Sequence, residues 1–270
     1  MTKRTNQSIC TFSLFHIPLF MTTIHNIMSE FEPIRLEQMA KVKLMNRVDT
    51  KFVTSLRRLI DFLGSASEFY RAQEIDGKRV CSYTTEYFDT PAMDMYTMHH
   101  NGCLGRQKVR IRSYVDSQLH FLEVKTKNNH RRTKKKHVAI EAGGSIFSPE
   151  NQDFLSRKCW FEPSALIPAL NNSFSRVTLV NNDMTERLTI DTNLSYDNPL
   201  SGRHFDFDGI CIIEIKRDGL SFSPALGLLN NLRIFPHGFS KYCIGTVLTN
   251  PDVKHNRFKE KLIEINKALK

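Results

Sequence analysis

The sequence predicts an α+β fold, an antiparallel sheet with helices packed around it, and three observations carry that expectation. Strand-like segments outnumber helical ones and come as neighbouring pairs with short turns, the habit of antiparallel sheets. Several of them alternate apolar and charged residues, which gives each strand one apolar face and one mostly cationic face. Finally, "GICIIEIKRDG" (209–219) is apolar on both faces, with Cys211, Ile213 and Ile215 one way and Ile210 and Ile212 the other, beside Glu214 and Lys216. A strand of that kind is central and covered.

The elements follow in order. "RLEQMAKVKLMNRVDTKFV" passes from a short helix into a strand carrying Arg47, Asp49 and Lys51 at alternate positions. Ser55 can cap the amphipathic helix "LRRLIDFLGSASEFY", whose Leu56, Leu59, Ile60 and Leu63 share a face. "IDGKR" is a turn into the strand "VCSYTTEYFDT". The glycine-containing loop "HHNGCLGR" feeds "QKVRIRSY", and Asp116-Ser117 turns into "LHFLEVKTK". After a basic run come "HVAIEAG" and a helical region from Ser148 to about Asn172. Strands resume at "SRVTLVNND", "ERLTIDTNLSY" and "GICIIEIKRDG", followed by a helix around "SPALGLLNNL", the segment "FSKYCIGTVL" and a basic helix from Val253.

With 270 residues, no internal repeat and no low-complexity linker, one domain over 29–270 is expected. Residues 1–28 read as an N-terminal tail or a misassigned start. His16 and Pro18 break the apolar stretch there and no small-residue cleavage site follows, which counts against a signal peptide. No segment has the roughly 18 apolar residues of a transmembrane helix. The six cysteines are scattered without a CxxC pair, which suits reduced thiols in a cytoplasmic protein and argues against a Cys/His metal site.

Charge is where the sequence turns specific. The net charge is +10, and residues 106–137 hold eleven Lys/Arg against Asp116 and Glu123, a local excess of nine. Such a balance points to nucleic acid, an anionic membrane or phosphorylated compounds. Lys108, Arg110 and Arg112 share one strand face, and Glu123, Lys125 and Lys127 share another. Two readings stay open. The cationic faces are either the wet outside of a half-exposed sheet or the lumen of an inside-out barrel whose apolar exterior lies under helices. A lumen of guanidinium and ammonium groups suits a polyanion. The few acids, Asp49, Glu123, Asp191 and Glu214, could then hold Mg²⁺ or Mn²⁺ on phosphates. His99 and His100 read as surface loop residues, Asp89 of "YFDTP" as structural, and Tyr242 and Cys243 as packing around Lys241. Few aromatics interleave with the basic run, so nucleic-acid binding is disfavoured.

In this order, "RVDTKFV", "YFDTP", "KVRIRSY", "FLEVKTKN…RRTKKKH", "SRVTLVN", "ERLTIDTNL", "IIEIKRDG" and "FSKYCIG" resemble the VTC (vacuolar transporter chaperone) polyphosphate polymerase domain. That domain lies within the wider triphosphate tunnel metalloenzyme group, and the resemblance spans about residues 30–250. It implies a closed tunnel of eight antiparallel strands surrounded by helices. The implied activity is metal-dependent transfer of the ATP γ-phosphoryl group to a growing polyphosphate chain, with Mn²⁺ or Mg²⁺ as cofactor. By resemblance the tunnel lining is Lys51, Arg110, Arg112, Lys125, a lysine of the Lys134–Lys136 run, Arg176, Arg187 and Lys241, and Glu214 is the metal ligand. Arg110, Arg112, Lys125 and Lys241 are the expected catalytic set. Arg47, Lys108, Lys134, Lys136 and Lys216 join Lys51, Arg176 and Arg187 as expected phosphate ligands, although alternation would equally allow Lys135 alone from the run.

One departure stands out. Tunnel triphosphatases begin with Glu-x-Glu-x-Lys, and here the strand reads Arg47-x-Asp49-x-Lys51. The exchange of an acid for Arg favours anion holding over metal holding. The expected partners are ATP and polyphosphate or pyrophosphate, with a membrane protein as a further candidate partner. A tunnel phosphohydrolase and a non-catalytic polyphosphate or inositol-phosphate binder are the competing readings.

Overall fold

The computed structural model describes residues 17–39, 42, 47–130 and 132–269. The chain opens with helix α1 (Ile17–Glu30), strand β1 (Pro33–Ile34) and a helical turn, α2 (Leu36–Met39). Strand β2 (Arg47–Ser55) runs into α3 (Leu56–Ala66), followed by β3 (Tyr70–Gln73), β4 (Val80–Asp89) and α4 (Asp94–His100). Then come β5 (Arg106–Tyr114), β6 (Leu119–Lys127), β7 (Thr133–Ile140) and α5 (Pro149–Lys158). The long hairpin of β8 (Ile167–Asn181) and β9 (Glu186–Asn198) leads to β10 (Arg203–Phe207) and β11 (Ile210–Asp218). Helices α6 (Pro224–Asn231), α7 (Lys241–Thr249) and α8 (Lys259–Ala268) complete it.

Eight strands form one antiparallel path in the order β2-β11-β9-β8-β4-β5-β6-β7. The expected closed barrel is corrected here: β2 and β7 end the path and are not hydrogen-bonded to each other. The sheet nevertheless curls strongly. Residues just before and at the start of α7 touch three distant strands of one face: the Phe239 carbonyl accepts from Lys51 of β2 at 3.2 Å, Ser240 accepts from Lys108 of β5 at 2.8 Å, and Lys241 pairs with Asp191 of β9. A flat sheet with β2 and β5 five positions apart would hold those side chains more than 20 Å apart at about 4.8 Å per strand. The sheet is therefore a trough, concave toward the charged face.

The convex face carries the apolar residues, as alternation requires. Phe52, Cys211, Ile213, Ile215, Leu188 and Ile190 pack against α1, α3 and α6, while Val109, Leu122 and Val124 pack against α5 through Leu155. Ser55 ends β2 and caps α3 by accepting from the Arg58 amide, which fixes the corner. One end of the concave face is apolar, where Tyr87, Leu170, Tyr196 and Ile212 meet Tyr242 and Ile244 of α7. Packing is tight there, since a Cβ on Gly245 would clash with the Tyr196 ring and lie 2.7 Å from Leu170. A second group of rings, Tyr83, Tyr114, Phe121 and Phe174, stands among Arg112 and Arg176.

Three boundaries differ from the sequence reading. Helix α1 crosses the expected limit at residue 28, and its Ile24 and Met28 are buried in the core, so the packed unit begins well before residue 29. The helical region after Ser148 stops at Lys158, and β8 begins at Ile167. "FSKYCIGTVL" forms α7, with Ser240 as its N-cap. The remainder of the expected tail, residues 1–16, lies outside the described residues.

Candidate functional site

The trough decides between the two readings of the cationic strands. Strand pairing puts Lys108, Arg110 and Arg112 of β5 opposite Lys125, Glu123 and Phe121 of β6, and all of these face inward. On the other wall, Glu214 of β11 lies opposite Lys51 of β2 and Thr189 of β9, and Lys216 lies opposite Asp49 and Arg187. Arg176 of β8 sits across from Asp191, and Lys241 descends from α7 onto the same carboxylate. Arg110 and Arg112 are each only 6% exposed. A wet face would leave such long cations in water, so the cationic side is an enclosed lining.

The four carboxylates are all engaged or flanked by cations. Arg110 reaches Glu123 through Nε and Nη2 at 2.8 and 2.6 Å, and Lys135 Nζ takes the other oxygen at 2.9 Å. Arg176 holds Asp191 bidentately at 2.5 and 2.8 Å, with Lys241 as a third partner. Glu214 accepts from Lys216 at 2.6 Å and has Lys51 at 3.6 Å. Asp49, exposed at the trough edge, stands beside Lys216 in the register.

Among the inward cations, Arg112, Lys108 and Lys125 have no carboxylate in salt-bridge contact among the described residues. Arg112 donates to the Thr85 hydroxyl at 3.2 Å and stacks 5.5 Å from the Phe174 ring. Lys108 donates to Ser240 and lies 5.8 Å from the Tyr242 ring. Lys125 of β6 lies opposite Lys108 of β5 on one side and Lys135 of β7 on the other. Enclosing charge without a counter-charge is unfavourable, and the titration of the site registers it. Burial, then Arg110 and Arg112, push the Lys125 ammonium well below the usual lysine range. Burial, then Arg110 and Arg176, bring Arg112 down to about 10. Burial brings Lys241 to about 7 in spite of Asp191. Burial would raise the Glu123 carboxyl, but Arg110, Lys125 and Lys135 outweigh it and hold it at about 2. Glu214 is likewise held well below the usual carboxylate range by Lys51 and Lys216 against its own burial. The arrangement is short of negative charge, and it can take up a polyanion.

A divalent metal is a separate question. No group of three or more His, Cys, Asp or Glu side chains that could hold an ion occurs among the described residues. The expected ligand Glu214 has both oxygens beside ammonium groups. The residues therefore build no protein-only metal cage. They do fit a hard cation that arrives on phosphate oxygens, because such an ion needs only one or two protein carboxylates.

Most of the expected ligands are brought together: Lys51, Lys108, Arg110, Arg112, Lys125, Arg176, Arg187, Lys216, Lys241 and Glu214 all lie on the concave side. Arg47 occupies the inward register at the start of β2, and its side chain lies outside the described residues. Lys134 and Lys136 are a correction. Strand β7 pairs Lys125 with Lys135 and Glu123 with His137, so Lys135 faces inward while Lys134 and Lys136 point outward and are exposed. His99 and His100 are corrected as well. They end α4, His100 is only 3% exposed, and His99 Nδ1 lies 3.0 Å from Cys243 Sγ. Asp89 is structural as expected, accepting from the Thr90, Met95 and Tyr96 amides and from the Tyr242 hydroxyl. The five described cysteines are free thiols. No helix of the described residues is long and apolar enough to cross a membrane.

The sequence profile of the VTC domain matches residues 46–250. No curated protein matches the chain. Among solved structures, a candidate adenylate cyclase from Bacillus halodurans is similar at 15% identity and a TM-score of 0.48, covering 73% of this chain and 96% of that one. A candidate adenylyl cyclase from Hippeastrum, described as having a dominant triphosphatase activity, is similar at 14% identity and a TM-score of 0.46, covering 75% and 96%. A protein from Pyrococcus horikoshii gives 13% identity and a TM-score of 0.42, covering 74% and 98%. Likeness at this level carries no chemistry across.

Proposed function

The chain belongs to the VTC domain family, and from that premise we propose that it is a polyphosphate polymerase, transferring the γ-phosphoryl group of ATP onto a growing polyphosphate chain within the trough. The observation that supports this reading best is the set of enclosed cations lacking a carboxylate partner, Lys108, Arg112 and Lys125. They wait for phosphate oxygens: Lys108 and Lys125 face each other across β5 and β6, and Arg112 lies farther along β5 on the same wall, beyond Arg110.

The chemistry asks little more of the protein. The terminal oxygen of the acceptor chain is already ionised and attacks the γ-phosphorus of ATP while the bond to the β–γ bridging oxygen breaks and ADP leaves. No general base is required, and catalysis reduces to positioning and charge neutralisation. Arg110, Arg112 and Lys125 clamp the nucleotide's phosphates, with Arg110 held in place by Glu123. Arg176, Arg187 and Lys241 steady the acceptor chain and the charge that shifts to the leaving oxygen. A divalent ion, Mn²⁺ or Mg²⁺, would sit at Glu214 and on phosphate oxygens, where it neutralises part of the nucleotide's charge.

The test is incubation of the protein with ATP and either metal, with products resolved by gel. An ADP-coupled polyphosphate ladder, lost in Arg112→Ala and Glu214→Ala, is expected. Free phosphate without polymer would replace the reading with a tunnel phosphohydrolase. Tight polyphosphate binding without turnover would replace it with a non-catalytic binding module.

A further inference from the structure

Exposure across the concave face is graded by strand. Away from the two edge strands, side chains of the inward ion pairs are nearly covered: the side chain of Asp191 on β9 is 5% exposed, that of Arg110 on β5 is 7% and that of Glu123 on β6 is 1%. At the two ends they are open, with Lys51 on β2 at 37% and Lys135 on β7 at 41%. Further along the same edges, Asp49 and His137 are exposed as well. Exposure on β2 belongs to this charged stretch, since Val53, also inward and two positions on, is only 8% exposed. The gradient therefore locates solvent along the seam between β2 and β7, where the sheet is not joined by hydrogen bonds.

The β2 edge is covered in part, with Pro236 bridged to Phe52 and α8 packed on β2. The amide of His237 donates to the Lys51 carbonyl at 2.7 Å on the β2 edge, and Ser240 reaches across to Lys108. Beyond this strap, toward Asp49 and His137, no strand pairing among the described residues joins β2 to β7, and both residues are exposed.

Resting on the reading that the trough binds polyphosphate, we propose that an internal segment of a long chain enters sideways between β2 and β7, so that neither end has to be threaded. The chemistry of the seam suits this. Lys51 on one lip and Lys135 on the other can each turn an ammonium toward a passing phosphate, at the edge of an interior whose enclosed cations draw the chain inward. The ligand class this adds is long polyphosphate engaged away from its termini, including chains whose ends are blocked.

The test compares two polyphosphates of equal length binding to the intact protein without nucleotide. One has free ends. The other is joined at both ends, through phosphoramidate bonds, to a folded carrier protein wider than the lumen of an eight-stranded barrel, which holds little more than side chains. Side entry predicts dissociation constants within about threefold of each other, with the carrier alone showing no binding. Loss of more than tenfold in affinity for the blocked chain, with the free-ended chain still binding, would overturn side entry and leave the polyphosphate reading standing. Failure of both chains to bind would overturn that reading and this inference with it.

Discussion

Replacing Asp191 by Asn tests whether the trough is organised around charge awaiting a ligand. Asp191 is the shared acceptor of Arg176, at 2.5 and 2.8 Å, and of Lys241, and the three side chains are between 5% and 16% exposed. An amide of the same shape keeps the packing but leaves two enclosed cations without a carboxylate. Removing one partner of a buried ion pair costs about 3–5 kcal/mol. In a protein of this size each kcal/mol lowers the melting temperature by about 2–4 °C, so Asp191→Asn should melt roughly 6–20 °C below the parent. The loss depends on pH. Lys241, already at about 7 beside Asp191, has a depressed folded pKa compared with its unfolded value, so stability rises as pH rises between the two. Without the carboxylate that folded pKa falls further, and the deficit is larger at pH 6 than at pH 8. Polyphosphate supplies the missing negative charge, so it should raise the melting temperature of the variant by more than that of the parent. Scanning calorimetry with and without polyphosphate reads all three effects. A variant that melts within 2 °C of the parent, or gains no more than the parent from polyphosphate, would refute the idea that these cations depend on an anion.

Three further outcomes follow from the same geometry. Lys135→Ala should weaken polyphosphate binding by about 5–10-fold, the worth of one charge-assisted contact of about 1–1.4 kcal/mol, and Lys134→Ala by less than twofold, measured by titration calorimetry at fixed salt. Polyphosphate affinity should be level below pH 7 and fall as pH rises above it, by up to about tenfold per pH unit for the proton that Lys241 must regain. Calorimetry in two buffers of different ionisation enthalpy should show proton uptake above pH 7. Gly245→Ala drives a methyl group into the Tyr196 ring and to 2.7 Å from Leu170, and overpacking of about 1–3 kcal/mol should appear as a lower denaturant midpoint with an unchanged slope.

How much of this was legible in the sequence depended on whether alternation alone could decide. For β11 it could: Ile210, Ile212 and Glu214 on one side and Cys211, Ile213 and Ile215 on the other require a strand covered on both faces, and the structure divides them between two cores in that way. For β7 it could not. "TKKKH" has lysine at three successive positions, so either phase turns lysine inward, Lys135 alone or Lys134 with Lys136, and the phase is set by pairing with β6, where Lys125 opposite Lys135 fixes it. Closure of the sheet was equally out of reach, because it depends on contacts between the first and last strands of the path. The histidines failed for a related reason. "DMYTMHH" is polar enough to read as loop, but Asp89 accepts the Met95 and Tyr96 amides and draws the segment into α4, which packs His100 beneath Phe258.

The apolar packing at one end of the concave face has a consequence for how the site can tolerate its own repulsion. At the apolar end Tyr87, Tyr196 and Tyr242 pack with Gly245 at close range, and Asp89 ties Tyr242 to the start of α4. That packing holds Lys241 and Ser240 over the trough whether or not an anion is present, so the cations cannot relax apart by moving α7 away. Repulsion is instead met by the depressed proton affinity of Lys125, Lys108 and Lys241, groups that can shed charge, alongside Arg112, which keeps its own near neutral pH. A ligand that restores those protons recovers the stabilisation the empty site forgoes, which ties affinity, stability and pH to the same side chains.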